Sequence, residues 1–341
     1  MSARVGFACK WIDHPSECAG RKPTSDSRDL NGRSTTMRWL REHKSEAEQR
    51  QWDIMNHNAG AAVRMVERVG SLPEHLRMVR LGSEMLQGYT EKDWQVWWQR
   101  QEIQDHCERI FAPIGARARE LGVRLSFHPG QFCVLASETP DIVNRSIEEF
   151  EYHADMARWM GYGRTFQDFK INVHISGRSG PAGIKAVIPR LSPEARNCLT
   201  IENDEMSWGI DASLELADTC ALVLDIHHHW IKTGEYIEAT DDRVKRIRDS
   251  WRGVRPVIHY SVSREDVLVG HSGSQLPALV PLMEAGYKKG KLRAHSDFYW
   301  NNAVNTWAAT FAEYADIMCE AKGKNIASHA FAEKFVKNVQ R

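Results

Sequence analysis

Six apolar segments of the sequence end on a side chain that can bind a metal ion. Histidines and carboxylates stand at these ends, namely His128, His174, Glu202, Asp225, His259 and Glu320. The run before each of them has the length and apolarity of a buried parallel strand. One histidine after an apolar run is more often a hydrogen-bonded rim residue than a ligand. Six such ends together predict a metal site built on neighbouring strands.

The elements that must position these ends alternate between strands and helices. Strands are predicted at about 4–8 and 76–81 and before each of the six ends, which makes eight. Helical periodicity covers 45–69, 101–121, 140–160 and 328–339. Eight repeats predict an α/β fold, a closed (β/α)8 TIM barrel, whose functional residues lie at the carboxyl ends of the strands. A single domain over 1–341 is expected, with a long loop at about 9–44 and an excursion at about 261–302.

Composition places the chain among globular proteins and gives no sign of a membrane segment. Hydrophobic residues make up 42% and charged residues 26% of the 341 positions. No apolar stretch approaches 18 residues and no signal peptide is visible, so no membrane association is expected. The seven cysteines include no Cys-x-x-Cys pair, which favours a reducing, cytoplasmic location. Because 45 basic residues balance 45 acidic ones, any nucleic-acid site must depend on local charge.

The ligand types indicate which ions are expected. His, Asp and Glu without Cys suit a divalent ion such as Mn²⁺, Zn²⁺ or Fe²⁺. Seven or eight such groups exceed the four to six ligands of one ion, so two or three ions are expected. Glu202, with ligand candidates on the strands either side, can bridge two of them. A two-metal site activates water and stabilises the attacking and leaving oxygens of a phosphoryl displacement.

Several motifs occur in register along most of the chain and resemble one family. They are Phe127-His128-Pro129-Gly130-Gln131, Val173-His174, Ile201-Glu202-Asn203-Asp204-Glu205, Asp225-Ile-His-His228-His229 and Glu320-Ala-Lys322-Gly-Lys324. Together they are similar to the UV damage endonucleases, a branch of the barrel superfamily that includes endonuclease IV. The resemblance implies incision of double-stranded DNA immediately 5′ of a UV photolesion by a metal cluster, most often Mn²⁺, with no obligate protein partner.

The resemblance also implies roles for individual residues. One ion would be held by His128, His174 and Glu202, a second by Glu202, Asp225, His259 and Glu320, and a third near His228 and His295. Glu202, His228 and Lys322 would be catalytic, with Lys322 close to the scissile phosphate. Phe7 and Gln131 would fall where the family places a Tyr and a Gln that wedge into the duplex at the lesion.

The chain departs from the family pattern in three places. Val257 stands where the family has a lysine, two residues before the histidine of the seventh strand. Thr90 or Glu91 stands where a histidine follows the second strand, and Phe7 replaces the Tyr. The third ion is therefore expected to be the weakest, unless Asp297 supplies a ligand.

Three further features allow two interpretations each. The basic residues Lys288, Lys289, Lys291 and Arg293 would grip a DNA backbone or simply form a solvated loop. The Trp94, Trp97 and Trp98 group would stack on bases or pack against the barrel. The turn at 176–180 would approach a phosphate or serve as a plain connection.

Three functions remain open at this point. The leading one is a metal-dependent DNA repair endonuclease. The second is a multinuclear-metal barrel enzyme that acts on a small molecule, as an isomerase or an iron oxidase. The third is a lesion-binding protein that does not cleave.

Overall fold

Eight short parallel strands close into a barrel in chain order. The structure is a computed structural model, and it describes residues 2–14 and 25–337. Each strand pairs in parallel with the next, and the last pairs with the first. The predicted (β/α)8 barrel is confirmed. Its strands are β1 Val5–Ala8, β2 Met78–Arg80, β3 Arg124–Phe127, β4 Lys170–His174, β5 Leu199–Glu202, β6 Ala221–Asp225, β7 Val257–Tyr260 and β8 Asp316–Cys319.

Helices surround the barrel and connect its strands. Their apolar faces bury against the outer surface of the sheet, where the main hydrophobic core lies. The described helices are α1 Met37–Glu42, α2 Lys44–Gly70, α3 Lys92–Trp98, α4 Gln101–Leu121, α5 Pro140–Trp159, α6 Gly180–Val187, α7 Pro193–Cys198, α8 Ile210–Leu214, α9 Ile226–Thr233, α10 Asp242–Asp249, α11 Leu279–Glu284, α12 Lys289–Leu292, α13 Asn302–Ala309 and α14 Lys324–Phe331.

The long predicted helices agree with the structure to within about a residue, whereas the irregular regions contain more structure than expected. The loop predicted at 9–44 contains α1 and an antiparallel bridge between Ile12 and Asp26, although residues 15–24 lie outside the described part. The excursion at 261–302 contains α11 and α12. The predicted last helix, 328–339, begins earlier as α14 and continues as a π-helical turn over Ala332–Val336, and position 339 is not described.

The tryptophan group packs against the barrel in this structure. Trp97 and Trp98 lie on α3 and are 4% and 1% exposed, within the main core. Trp97 also makes an edge contact with Trp52 of α2. Neither ring is accessible for stacking on a base.

Strand pleating determines which side chains point into the lumen and which point into the outer core. Alternate side chains point to opposite faces, so Val257 and His259 of β7 share the inner face. A second hydrophobic cluster fills the middle of the lumen; it contains Ala8, Met78, Ala221, Val223, Val257 and Met318. Polar side chains therefore occur at both ends of the lumen, and the predicted ligands lie at the carboxyl end. Among the described helices, none is both long and apolar enough to cross a membrane.

Candidate metal centre

The carboxyl ends of the strands bring the predicted ligands around Glu202. Two ring nitrogens approach its Oε2 atom, at 3.3 Å from His128 Nε2 and 3.1 Å from His259 Nδ1. His174 Nε2 lies 3.9 Å from the same oxygen. The register aligns His174 with Glu202 and Asp225 with His259, so two neighbouring strand pairs each contribute two adjacent side chains.

The candidate ligands fall into overlapping groups, each with its ligand atoms within 4.8 Å of one another. The groups are His128–His174–Glu202, His174–Glu205–His228, Glu202–Asp225–His228 and Asp225–His259–Glu320. The first and last correspond to the ligand sets predicted for two ions, with Glu202 beside both.

Buried atoms without hydrogen-bond partners show that these residues fit a cation. Among the described residues, Glu202 Oε1, Asp225 Oδ2 and His259 Nδ1 are buried and accept or donate no hydrogen bond. A buried polar atom left unpaired costs about 1–3 kcal/mol. Because all three belong to one cluster of ligand-type groups, divalent ions are the partners that would satisfy them.

The hydrogen bond of His128 leaves one ring nitrogen free for an ion. Its Nδ1 lies 2.8 Å from the carbonyl oxygen of Pro129, to which it donates, and Nε2 then faces Glu202. Metal-binding histidines commonly have their second nitrogen fixed in this way.

Burial and the neighbouring charges shift the pKa values of this cluster in both directions. Burial, reinforced by the carboxylates Glu202 and Glu320, raises the pKa of Asp225 to about 8. Burial lowers the pKa of His259 to about 4. Burial also acts to lower the pKa of His174, but Glu202 and Asp204 outweigh it and raise that pKa to about 10. A bound cation would favour the ionised carboxylates and the neutral rings.

Three lumen side chains that the sequence analysis did not single out support this cluster. Arg80, at the end of β2, forms an ion pair with Glu320. Asn172 donates a hydrogen bond to Glu202 Oε2. Lys170 lies with Nζ 2.8 Å from His259 Nε2, and burial lowers its pKa to about 7. Their sequence signal is a polar residue at alternate positions of an apolar strand, as in Lys170-Ile-Asn172-Val-His174.

His228 has Glu205 as an additional neighbour. His228 Nδ1 donates to the carbonyl of Asn203 at 3.1 Å, so Nε2, which lies 3.6 Å from Glu205 Oε2, is the nitrogen left for an ion. His295 belongs to none of the four groups found among the described residues, and its Nδ1 lies 3.1 Å from the carbonyl oxygen of Glu320. The third site near His228 and His295 therefore stays a prediction.

Asp297 does not join the cluster. Its side chain is 71% exposed and lies 4.0 Å from Lys322 Nζ. Lys322 is itself half exposed at the rim of the barrel. Both residues therefore lie outside the four groups.

Most of the basic residues of the excursion are exposed, but Arg293 has a partner at the cluster. Its Nη1 lies 2.7 Å from Glu205 Oε1, so Arg293 connects the excursion to the metal centre. Lys289 Nζ donates to the carbonyl of Lys232 at 2.9 Å. Lys288 and Lys291 are exposed.

The structure does not support the predicted wedge role of Phe7. Phe7 is 0% exposed, and its ring packs against Trp11 and His329 in edge contacts. On β1 it faces the outer core rather than the lumen mouth, because pleating turns alternate side chains away from the lumen. Gln131 is exposed, and the next residue, Phe132, is 85% exposed. The accessible aromatic ring beside Gln131 is therefore Phe132.

Fold and site together define the class of protein: a (β/α)8 barrel whose carboxyl face carries clustered His, Asp and Glu side chains able to hold metal ions. The chain belongs to the UV-endonuclease UvdE family, whose model matches residues 4–339. This finding confirms the resemblance seen in the motifs.

Individual relatives are similar over different shares of their length. A UV-damage endonuclease of Neurospora crassa is 28% identical over 54% of this chain and 30% of its own length. A putative UV-damage endonuclease of Acanthamoeba polyphaga mimivirus is 32% identical over 46% of this chain and 49% of its own. A UV DNA damage endonuclease of Bacillus mycoides is 25% identical over 67% and 71%. The chain thus spans less than half of the first two relatives.

Two solved structures share the fold. A crystal structure of SacUVDE matches with a TM-score of 0.70 at 24% identity, over 99% of both chains. Endonuclease IV from Thermus thermophilus matches with a TM-score of 0.50 at 13% identity, over 83% of this chain and 95% of the other. At these identities the matches support the barrel fold alone.

Proposed function

We propose that this protein is a metal-dependent DNA repair endonuclease that nicks double-stranded DNA on the 5′ side of UV photolesions. The observation that carries the proposal is the set of buried ligand atoms without hydrogen bonds on Glu202, Asp225 and His259, at the carboxyl face of a barrel of the UvdE family. Relatives in that family are named UV-damage endonucleases. Mn²⁺ is the ion we expect, with Zn²⁺ or Fe²⁺ as alternatives.

Two overlapping sets of side chains in the cluster would hold the ions. His128, His174 and Glu202 would hold one ion, and Asp225, His259 and Glu320 would join Glu202 in holding a second. Bound ions would supply an activated water and charge stabilisation at the phosphate. Arg80 keeps the Glu320 carboxylate oriented and ionised, since a buried ion pair fixes both partners.

Rim residues would bind the DNA. Lys322, Lys288 and Lys291 present exposed ammonium groups that can contact the phosphate backbone. Gln131 and Phe132 form an exposed tip in the loop that follows β3 and contains His128. Opening a stacked duplex costs a few kcal/mol per step and less at a damaged one, so a wedge selects lesions by deformability. We assign this wedge to Gln131 and Phe132.

A plasmid nicking assay tests the activity. UV-irradiated supercoiled plasmid should be nicked in the presence of Mn²⁺, whereas chelator treatment and the Glu202→Gln variant should abolish nicking. An end-labelled duplex with one photolesion should be cut on its 5′ side. Absence of lesion-dependent nicking by wild-type protein loaded with Mn²⁺, Zn²⁺ or Fe²⁺ would refute the proposed function.

The wedge is tested by Phe132→Ala and Gln131→Ala. Base stacking on an aromatic ring contributes roughly 1–3 kcal/mol, so Phe132→Ala should slow nicking of irradiated plasmid by about tenfold or more. Metal content should not change, because neither side chain belongs to a ligand group. Wild-type rates on irradiated plasmid in both variants would remove the tip from the mechanism and leave the endonuclease assignment intact.

A further inference from the structure

Asn203 is a buried amide next to the candidate metal centre. It directly follows Glu202, and only 1% of it is exposed. Its side chain forms two hydrogen bonds with the backbone of Asp225 on β6. The Asp225 amide nitrogen donates to Asn203 Oδ1 at 2.8 Å, and Asn203 Nδ2 donates to the Asp225 carbonyl oxygen at 3.0 Å. Because a backbone N–H only donates and a carbonyl only accepts, these contacts fix the orientation of the Asn203 amide.

This pair of hydrogen bonds extends the sheet beyond the point where two strands stop pairing. The parallel ladder between β5 and β6 ends with Glu202 opposite Val223. Asp225 lies two residues further along β6, where the Asn203 side chain takes the place of a neighbouring strand. An Asn side chain offers a donor and an acceptor side by side, whereas an apolar side chain of the same shape offers neither. On the β5 side, the position of Asp225 relative to Glu202 therefore depends on Asn203.

The backbone of Asn203 contacts a further candidate ligand. Its carbonyl oxygen accepts a buried hydrogen bond from His228 Nδ1 at 3.1 Å. A carbonyl oxygen can only accept, so Nδ1 keeps its hydrogen whether the His228 ring is neutral or charged. The hydrogen bond at one ring nitrogen fixes the ring and leaves the other nitrogen, Nε2, open to an ion.

The Asp225 carboxylate is fixed in direction by these contacts together with a helix cap. Asp225 Oδ1 caps α9 by accepting from the backbone nitrogen of His228 at 2.7 Å. Asp225 Oδ2 is buried and makes no hydrogen bond within the described residues. Glu202, Asp225 and His228 form one of the four ligand groups, so the residues that Asn203 touches or adjoins are the members of a single group.

We propose that Asn203 is a positioning residue of the metal centre, which holds Asp225 and His228 at the spacing from Glu202 that a bound ion requires. An amide does not ionise at ordinary pH, so this role is independent of protonation. The inference rests on the proposed metal centre but not on DNA cleavage.

Mn²⁺ affinity tests this role in Asn203→Leu, which nearly keeps the shape of the side chain and removes both of its hydrogen bonds. Calorimetric titration of the chelator-treated variant with Mn²⁺ should show affinity about 10- to 100-fold weaker than in wild type, the usual effect of removing a residue that orients a ligand. Asn203→Ala removes the same bonds without adding bulk and should give the same result. Melting temperatures of the metal-free proteins show whether the fold is intact.

Asn58 on α2 provides a matched control. It is 2% exposed, and its amide forms the same reciprocal pair with the backbone of Arg33, at 2.7 and 3.0 Å. Neither residue belongs to the four ligand groups found among the described residues. Asn58→Leu should lower the melting temperature, as Asn203→Leu does, but should bind Mn²⁺ as wild type does. A purely structural role for Asn203 predicts lost stability in both variants and unchanged Mn²⁺ affinity in both.

The outcomes separate this inference from the proposed function. Wild-type Mn²⁺ affinity in folded Asn203→Leu, or an equal loss of affinity in Asn58→Leu, would overturn the role of Asn203 and leave the metal centre in place. A wild type that binds no Mn²⁺, Zn²⁺ or Fe²⁺ would overturn both. Protein that binds Mn²⁺ but does not nick DNA would refute only the endonuclease assignment.

A measurement on the wild type keeps the inference testable if neither Asn203 variant folds. In ¹⁵N-histidine-labelled protein, the ring resonances of His228, assigned by their loss in His228→Gln, should show a hydrogen on Nδ1 both without metal and with Zn²⁺ bound. An Nδ1 that carries no hydrogen, or one that binds Zn²⁺, would overturn the proposal.

Discussion

Both ends of the barrel lumen contain buried carboxylates; Asp316 at the amino end has both of its oxygens hydrogen-bonded, whereas Glu202 and Asp225 at the carboxyl end do not. At the amino end, Asp316 is 0% exposed, and its Oδ2 accepts from Arg124 Nη1 at 2.7 Å. Its Oδ1 accepts from Arg255 Nε and from the backbone nitrogen of Arg4, both at 2.9 Å. At the carboxyl end, Glu202, Asp225 and His259 each keep a buried atom without a hydrogen bond within the described structure.

The difference separates a structural ion cluster from a functional one. The Asp316 cluster joins β3, β8 and Arg255, two residues before β7, so its hydrogen bonds hold strands on different sides of the barrel together. The ligand cluster leaves three buried ligand atoms without hydrogen bonds, which is expected where a ligand is to bind. In TIM barrels the amino face serves stability and the carboxyl face serves activity.

The largest expected effect is at the carboxyl end. Glu202→Gln should reduce nicking by more than 1000-fold, because losing the carboxylate shared by both ligand sets removes roughly 5 kcal/mol of transition-state stabilisation. A plasmid nicking assay checks this, and wild-type nicking by the folded variant would contradict the functional interpretation of this end.

The opposite pattern is expected at the amino end. Asp316→Ala should lower the free energy of unfolding by roughly 3–5 kcal/mol, because the guanidinium groups of Arg124 and Arg255 lose their shared carboxylate while remaining largely buried. Mn²⁺ affinity of the folded variant should equal that of wild type. Weakened binding in the folded state would show that the two ends are coupled.

A buried histidine outside the lumen, His153, is expected to make the folded protein sensitive to acid. His153 on α5 is 0% exposed, and burial lowers its pKa from 6.5 to about 4. Below pH 6.5 His153 is protonated in the unfolded chain but stays neutral in the folded protein. The stability that the neutral His153 contributes is therefore complete above pH 6.5 and is lost as the pH falls toward 4. The free energy of unfolding should fall by roughly 3 kcal/mol over this range, at about 1.4 kcal/mol per pKa unit.

The variant His153→Phe tests the source of this acid loss. Its unfolding free energy should fall less between pH 6.5 and 4 than that of wild type, in metal-free protein measured by urea denaturation. An identical pH dependence in the two proteins would place the acid sensitivity elsewhere.

The smallest expected effect concerns Thr200, whose hydroxyl donates to Asn172, the residue that donates to Glu202. Thr200→Val removes this hydroxyl, and one such bond contributes about 1 kcal/mol. Mn²⁺ affinity, measured by calorimetric titration, should fall by a few fold, because Asn172 then holds Glu202 less firmly. The isosteric change preserves packing, so an unchanged affinity would show that Thr200 does not support the metal centre.

Local sequence determined most of the architecture and the identity of the ligands. Short apolar runs and helical periodicity depend on near neighbours, so α4 has its predicted bounds and all eight strands occur at or near their predicted positions. Polar side chains at strand ends mark the carboxyl face in any parallel barrel. His128, His174, Glu202, Asp225, His259 and Glu320 could therefore be named before the structure was known.

Only the tertiary structure decided which side chains meet across the lumen. The pairing of Lys170 with His259 depends on the closure of the barrel, because β4 and β7 are not neighbours in the sheet. The same is true of Arg80 with Glu320, because β2 and β8 are not neighbours either. Phe7 is buried while Phe132 is exposed, and burial depends on what the rest of the chain packs against each ring. Spacing along a chain specifies the face of an element, whereas contacts between distant elements are set by the packing of the whole barrel.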